Sequence, residues 1–66
     1  MIVRINGRDE VIERKINILE LVKLKNLIGE NIVIEHNLRI VPKEEWPEVN
    51  LNENDSIEIV NFMGGG

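Results

Sequence analysis

The chain of 66 residues contains no cysteine and no tyrosine, and it has one histidine and one serine. The missing cysteine excludes a disulfide framework, a thiolate metal site and a catalytic thiol. A nucleophilic Ser56 would need His36 within hydrogen-bond distance and a third group to orient that base. Nothing in the spacing of the two residues demands this arrangement. We therefore interpret His36 as a surface histidine beside a turn, and we expect no enzyme activity from the chain itself.

Positive charge and long apolar runs are also scarce. The chain has eight basic and twelve acidic residues, which gives a net charge of −4. An acidic surface repels phosphate backbones, which argues against nucleic acid and favours a protein partner with a basic surface. No apolar stretch reaches the ~20 residues that span a bilayer, and the N-terminus lacks the pattern of a signal peptide. We expect a cytoplasmic protein that binds no membrane and no metal.

The first half of the chain predicts a hairpin followed by a helix. Asn6-Gly7 after the strand-like residues 2–5 is a strong hairpin signal. Residues 10–16 are expected to return as the second strand, with Val11 and Ile16 facing inward. Asn17 and Glu20 have the spacing of a capping box, which predicts a helix over residues 18–28. The predicted buried stripe of this helix is Leu21, Leu24 and Ile28, and Gly29 is its predicted C-cap glycine.

The second half predicts further strands. Residues 32–34 open a third strand that runs to a turn at His36-Asn37, and residues 38–41 form a fourth. A single helical turn is expected around residues 43–46, with Trp46 closing one edge of the core. Residues 57–63 form the last strand.

This order of elements predicts an α+β fold with the plan of the ubiquitin-like β-grasp. We expect a mixed sheet of four to five strands with one helix packed across one face, and the first and last strands as a parallel central pair. The opposite face of the sheet is left partly open. The domain would comprise residues 1–63, and residues 64–66 would form a flexible tail.

The glycine end is the most informative feature. Gly64, Gly65 and Gly66 follow the last strand and offer a narrow tail without side chains that ends in a carboxylate. Such a tail suits chemistry performed on the carboxylate in another protein's active site. Alternation along the last strand places Val60 and Phe62 on the open face, where with Met63 they predict a docking patch for that protein.

Several short motifs occur in a fixed order along the chain: Asn6-Gly7, the helix start at residues 17–22, Asn37, Ile40-Val41-Pro42, Trp46, Leu51, residues 55–60, Phe62 and the glycine end. In these residues the chain resembles the ThiS family, small sulfur-carrier proteins of thiamin biosynthesis, over essentially its whole length. Asn17 stands where the family usually has threonine, and both residues cap helices.

The resemblance implies that the Gly66 carboxylate is the reactive group, with Gly64 and Gly65 threading into partner enzymes. A ThiF-like adenylating enzyme would use ATP and Mg to activate Gly66, and a sulfur donor such as a cysteine desulfurase would convert it to a thiocarboxylate. A ThiG-like thiazole synthase would then accept the sulfur. The carrier itself would bind no cofactor.

Three alternatives remain open from the sequence. A molybdopterin-type sulfur carrier and a ubiquitin-like modifier share the fold and the diglycine end, although the Ile-Val-Pro and tryptophan segment favours the thiamin branch. A β-grasp binding module would lack carboxylate chemistry, and its tail would be incidental.

Overall fold

The computed structural model describes residues 1–62. Within them, five strands form one mixed sheet in the order β2-β1-β5-β3-β4, and one α-helix packs across one face. This is the predicted ubiquitin-like β-grasp plan. The elements in chain order are β1 (Ile2–Ile5), β2 (Arg8–Val11), α1 (Ile18–Leu24), β3 (Ile32–His36), β4 (Arg39–Val41), a 3₁₀ helix (Lys43–Glu48) and β5 (Ser56–Asn61). No helix among residues 1–62 is long and apolar enough to cross a membrane.

The centre of the sheet is the parallel pair β1–β5, as predicted. Ile5 lies beside Ile57, and the antiparallel strands β2 and β3 flank the pair on either side. Parallel neighbours need a crossover connection, which here includes α1. The last strand therefore lies in the middle of the sheet, with neighbours along both edges.

Each of the two tight hairpin turns contains two residues in the left-handed backbone conformation, with positive φ. Asn6 and Gly7 have φ angles of 51° and 82°, which confirms the first predicted turn. The second turn was predicted one residue too early, because its left-handed residues are Asn37 and Leu38, at 50° and 71°. A leucine rarely adopts this conformation. The Asn37 side chain helps to hold the turn, since its Oδ1 accepts a hydrogen bond of 2.9 Å from the Ser56 amide.

The prediction for β2 was wrong in its length and in one inward residue. The strand ends at Val11, which pairs with Ile2 on the open face and is 73% exposed. The core-side positions of β2 are occupied by the polar residues Arg8 and Glu10, opposite Ile5 and Val3. The chain contributes to the core only after it leaves the strand, at the buried Ile12 and at Ile16, whose burial was predicted correctly.

The N-terminal capping box of α1 is confirmed. The Glu20 amide donates to Asn17 Oδ1 at 2.8 Å, and the Asn17 amide donates to Glu20 Oε1 at 2.9 Å. Each side chain thus satisfies a backbone donor that the helix leaves without an intrahelical partner.

The predicted C-terminus of α1 was wrong. Asn26, with φ of 58°, ends the helix in a Schellman motif, in which the Leu27 amide donates to the Val22 carbonyl at 3.0 Å. Gly29 has a positive φ but lies outside this cap. The shorter helix buries Ile18, Leu21 and Val22. The predicted burial of Leu21 is therefore confirmed, whereas Leu24 and Ile28 are exposed, contrary to the prediction.

The core lies between α1, the 3₁₀ helix and one face of the sheet. Trp46 closes its edge as predicted, since it is buried and its Nε1 donates to the Val41 carbonyl at 3.1 Å. The helical segment around it is longer than the single turn expected. The buried apolar residues are Val3, Ile5, Ile12, Ile16, Ile18, Leu21, Val22, Ile34, Val41, Trp46, Leu51 and Ile57.

Candidate functional site

The site is the open face of the sheet around the end of β5. Ile57 is fully buried in the core, whereas Val60 and Phe62 on the other face are 55% and 52% exposed. This is the placement that strand alternation predicted. Their role in docking stays a prediction. Met63 and the three glycines lie outside the described residues.

Neighbouring strands extend this apolar surface. Val33 of β3 is paired with Val60, and Ile40 of β4 is paired with Glu35, which in turn faces Glu58. These five side chains line one shallow depression. The sequence analysis did not predict Val33, Glu35 or Ile40 as docking residues, although strand alternation in β3 and β4 would have placed them on the open face.

Hydrogen bonds hold β5 in place up to the last residue described. The Ile59 amide donates to Asn6 Oδ1 at 2.7 Å, and the Phe62 amide donates to the Asn31 carbonyl at 3.0 Å. The end of β5 and Phe62 are therefore held on the sheet.

A polar cluster supports the start of β5. His36 lies at the end of β3, and its Nε2 is 2.8 Å from Asp55 Oδ2. Asn37 Nδ2 donates to Asp55 Oδ1 at 3.1 Å, and the Asn52 amide donates to Oδ2 at 2.9 Å. His36 is thus half-buried in a structural network, and its partner is Asp55 rather than Ser56. The predicted position beside a turn is correct, but the side chain is held by Asp55 rather than free on the surface.

The charge of Asp55 is stabilised by these donors. Burial alone raises the pKa of the Asp55 carboxyl, but the hydrogen bonds from His36, the Asn52 amide and Asn37, with the charge of His36, outweigh it. The pKa therefore lies below the ordinary value of 3.8. Since the pKa is lowered in the folded state, the stability it contributes is present above about pH 4 and is lost as pH falls through the native pKa.

We expect Asp55→Asn to destabilise the domain by ~1–3 kcal/mol near neutral pH, because the neutral amide weakens the hydrogen bonds that the carboxylate accepts. The difference from the parent chain should shrink as pH falls below about 4, where the carboxyl also becomes neutral. Urea unfolding followed by Trp46 fluorescence between pH 2.5 and 7 would measure it. A difference independent of pH would contradict the charge-based explanation.

The described residues offer a binding surface. Among residues 1–62, no group of three or more His, Cys, Asp or Glu side chains is arranged to hold a metal ion. The one histidine is engaged with Asp55, and the apolar side chains around Val60 face outward. This arrangement suits recognition by another protein.

Comparison with known proteins agrees with this geometry. Residues 3–66 match the ThiS family. The chain is 36% identical over 64 residues to the sulfur carrier protein ThiS of Bacillus subtilis, covering 96% of this chain and 97% of that protein. It is also 34% identical over 62 residues to a thiazole synthase of Paramagnetospirillum magneticum, of whose length the chain spans only 19%.

A solved structure shares the whole fold. The crystal structure of the thiamine biosynthesis protein ThiS from Geobacter metallireducens superposes with a TM-score of 0.85 at 28% identity, over 100% of both chains. The family match, the similarity to the Bacillus protein and the structural superposition each cover nearly all residues of the chain. The chain belongs to the ThiS family.

Proposed function

We propose that this chain is a sulfur carrier of thiamin biosynthesis that carries sulfur as a thiocarboxylate on Gly66. The observation that carries the proposal is the match to the ThiS family over residues 3–66, which includes the terminal glycines. The near full-length similarity to a sulfur carrier protein of Bacillus subtilis supports it.

The chemistry follows from the weakness of a carboxylate as an electrophile. The Gly66 carboxylate attacks the α-phosphorus of ATP in a ThiF-like enzyme, which uses Mg and releases pyrophosphate. The acyl-adenylate then has AMP as a good leaving group. A sulfur nucleophile then displaces AMP. Sulfide gives the thiocarboxylate directly, whereas the persulfide of a donor such as a cysteine desulfurase gives an acyl disulfide, which a thiol reduces to the thiocarboxylate with formation of a disulfide. The carrier supplies the reactive end and the docking surface, and its partners perform the catalysis.

The tail and the open face have different roles in this proposal. Gly64 and Gly65 thread into the partner enzymes without side chains that would obstruct a narrow channel. Val60 and Phe62, with Met63, provide the surface that the partner holds while Gly66 reacts. A ThiG-like thiazole synthase is the proposed sulfur acceptor. The similarity of this chain to a segment of a Paramagnetospirillum thiazole synthase supports that pairing.

The intact mass of the purified chain tests the proposal. After incubation with ATP, Mg, a ThiF-like enzyme and a sulfur source, we expect the mass increase that replaces one oxygen by sulfur. The same mixture without ATP is the control. No change in mass, with an enzyme that converts its own carrier, would refute the carrier function.

A further inference from the structure

Two carboxylates lie opposite each other in the middle of the open face. Glu35 of β3 and Glu58 of β5 are direct partners in the antiparallel register. Like charges opposite each other across two strands destabilise a sheet. The fold itself gains nothing from this pairing, which makes it a candidate for recognition.

Neither carboxylate forms an ion pair with a Lys, Arg or His side chain of residues 1–62. The ion pairs within 4 Å among residues 1–62 are made elsewhere, and no Lys, Arg or His side chain in that range reaches Glu35 or Glu58 at this distance. The pairs that do form are Arg4–Asp9, Lys25–Glu10, His36–Asp55 and Arg39–Glu45.

The surroundings of the carboxylate pair are apolar. Val33, Ile40 and Val60 line the same depression as the two glutamates. A protein that covers these three side chains removes water from the carboxylates, and an ion pair across the interface is stronger in the lower dielectric that results. A suitable occupant therefore brings apolar side chains together with a positive charge.

We propose that Glu35 and Glu58 together bind one cationic side chain, preferentially arginine, at the centre of the surface with which the adenylating enzyme contacts this carrier. The proposal rests on the proposed function, because it specifies the chemistry of that partner. The planar guanidinium has five N–H donors and can bridge two carboxylates. The net charge of −4 agrees with a basic partner surface.

A second copy of the chain fits this surface poorly. A two-fold dimer places the same patch of both subunits against itself. In such a dimer, Glu35 and Glu58 of both subunits would bring four carboxylates together in an interface from which water is removed. The charge pattern thus favours a different protein over self-association.

The double variant Glu35→Gln/Glu58→Gln tests the proposal, because it keeps the shape of both side chains and removes their charge. With the ThiF-like enzyme, ATP and Mg, we expect KM for the carrier to rise roughly tenfold to a hundredfold, with kcat at saturation within about twofold of the parent value. The rise should be smaller in high salt, where the parent interaction is screened.

The matched control is Glu44→Gln/Glu48→Gln, which removes the same charge from exposed positions of the 3₁₀ helix. We expect its KM to stay within about twofold of the parent value. An unchanged KM for the first variant would overturn the proposal. An equal rise in both variants would also overturn it, because it would show only general attraction to an acidic chain.

Two further measurements separate the possible failures. The Tm of Glu35→Gln/Glu58→Gln should equal or exceed that of the parent chain, since the variant loses a repulsion; a lower Tm would indicate a structural role and overturn the proposal. If the parent chain gains no sulfur, the proposed function fails. In that case the role of the carboxylate pair is tested by measuring, without ATP, how tightly the parent chain and Glu35→Gln/Glu58→Gln bind the same enzyme. If neither binds, or if both bind equally tightly, the proposal for the carboxylate pair is overturned.

Discussion

Deletion of Gly66 is expected to abolish sulfur loading completely. In the proposed reaction the Gly66 carboxylate is the group that is adenylated, and a chain shorter by one residue carries its carboxylate up to ~3.5 Å from that position. A displacement of about 1 Å already costs roughly a hundredfold in rate. Intact-mass measurement after incubation with ATP, Mg, the ThiF-like enzyme and a sulfur source should show no sulfur-containing product from the deletion variant.

A chain extended by one alanine after Gly66 is the matched variant. It keeps all native residues but moves the carboxylate beyond the position of attack, so we expect it to be inactive as well. Both variants should unfold at the parent Tm, because the buried residues of β5 lie upstream of the tail. Full sulfur loading of the extended chain would contradict the carrier chemistry and favour a binding module in which the tail is incidental.

Ile57→Ala is expected to produce the largest loss of stability among single substitutions in β5. Ile57 is fully buried and lies between β1 and β3 in the centre of the sheet. Truncating a buried isoleucine to alanine costs ~2–5 kcal/mol. Domains of 66 residues have unfolding free energies of roughly 3–10 kcal/mol. A large part of the total stability therefore depends on this one side chain, and urea unfolding followed by Trp46 fluorescence would measure the loss.

Val60→Ala provides the matched control on the same strand. Val60 is 55% exposed on the open face, so its truncation should change the free energy of unfolding by less than about 0.5 kcal/mol. Equal destabilisation by the two substitutions would show that the open face is covered in the protein as studied. That result would contradict the assignment of Val60 to a free docking surface.

Features set by a few adjacent residues could be predicted from the sequence. Asn6-Gly7 specifies its turn because asparagine and glycine tolerate positive φ, and the capping box of Asn17 and Glu20 closes within four residues. The alternation of β5 likewise predicted which side chains face away from the helix. The order of these elements was sufficient for the fold.

The errors arose where distant contacts override local pattern. The helix was expected to continue to Ile28, but the chain leaves it at Asn26, and Gly29 was a misleading signal. Val11 was expected to be buried, but its register with Ile2 assigns it to the open face. The alternation of residues along a strand shows which side chains share a face. The register with the neighbouring strand determines whether that face lies against the core.

The sequence by itself determined the β-grasp plan, the family and the exposure of Val60 and Phe62, because these depend on short-range order along the chain. Only the tertiary structure decided that Asp55 accepts hydrogen bonds from His36 and Asn37, and that Glu35 faces Glu58. Both arrangements join residues 18 to 23 positions apart. Their distances are set by the register of β3 against β5, and that register depends on the whole buried core rather than on the residues themselves.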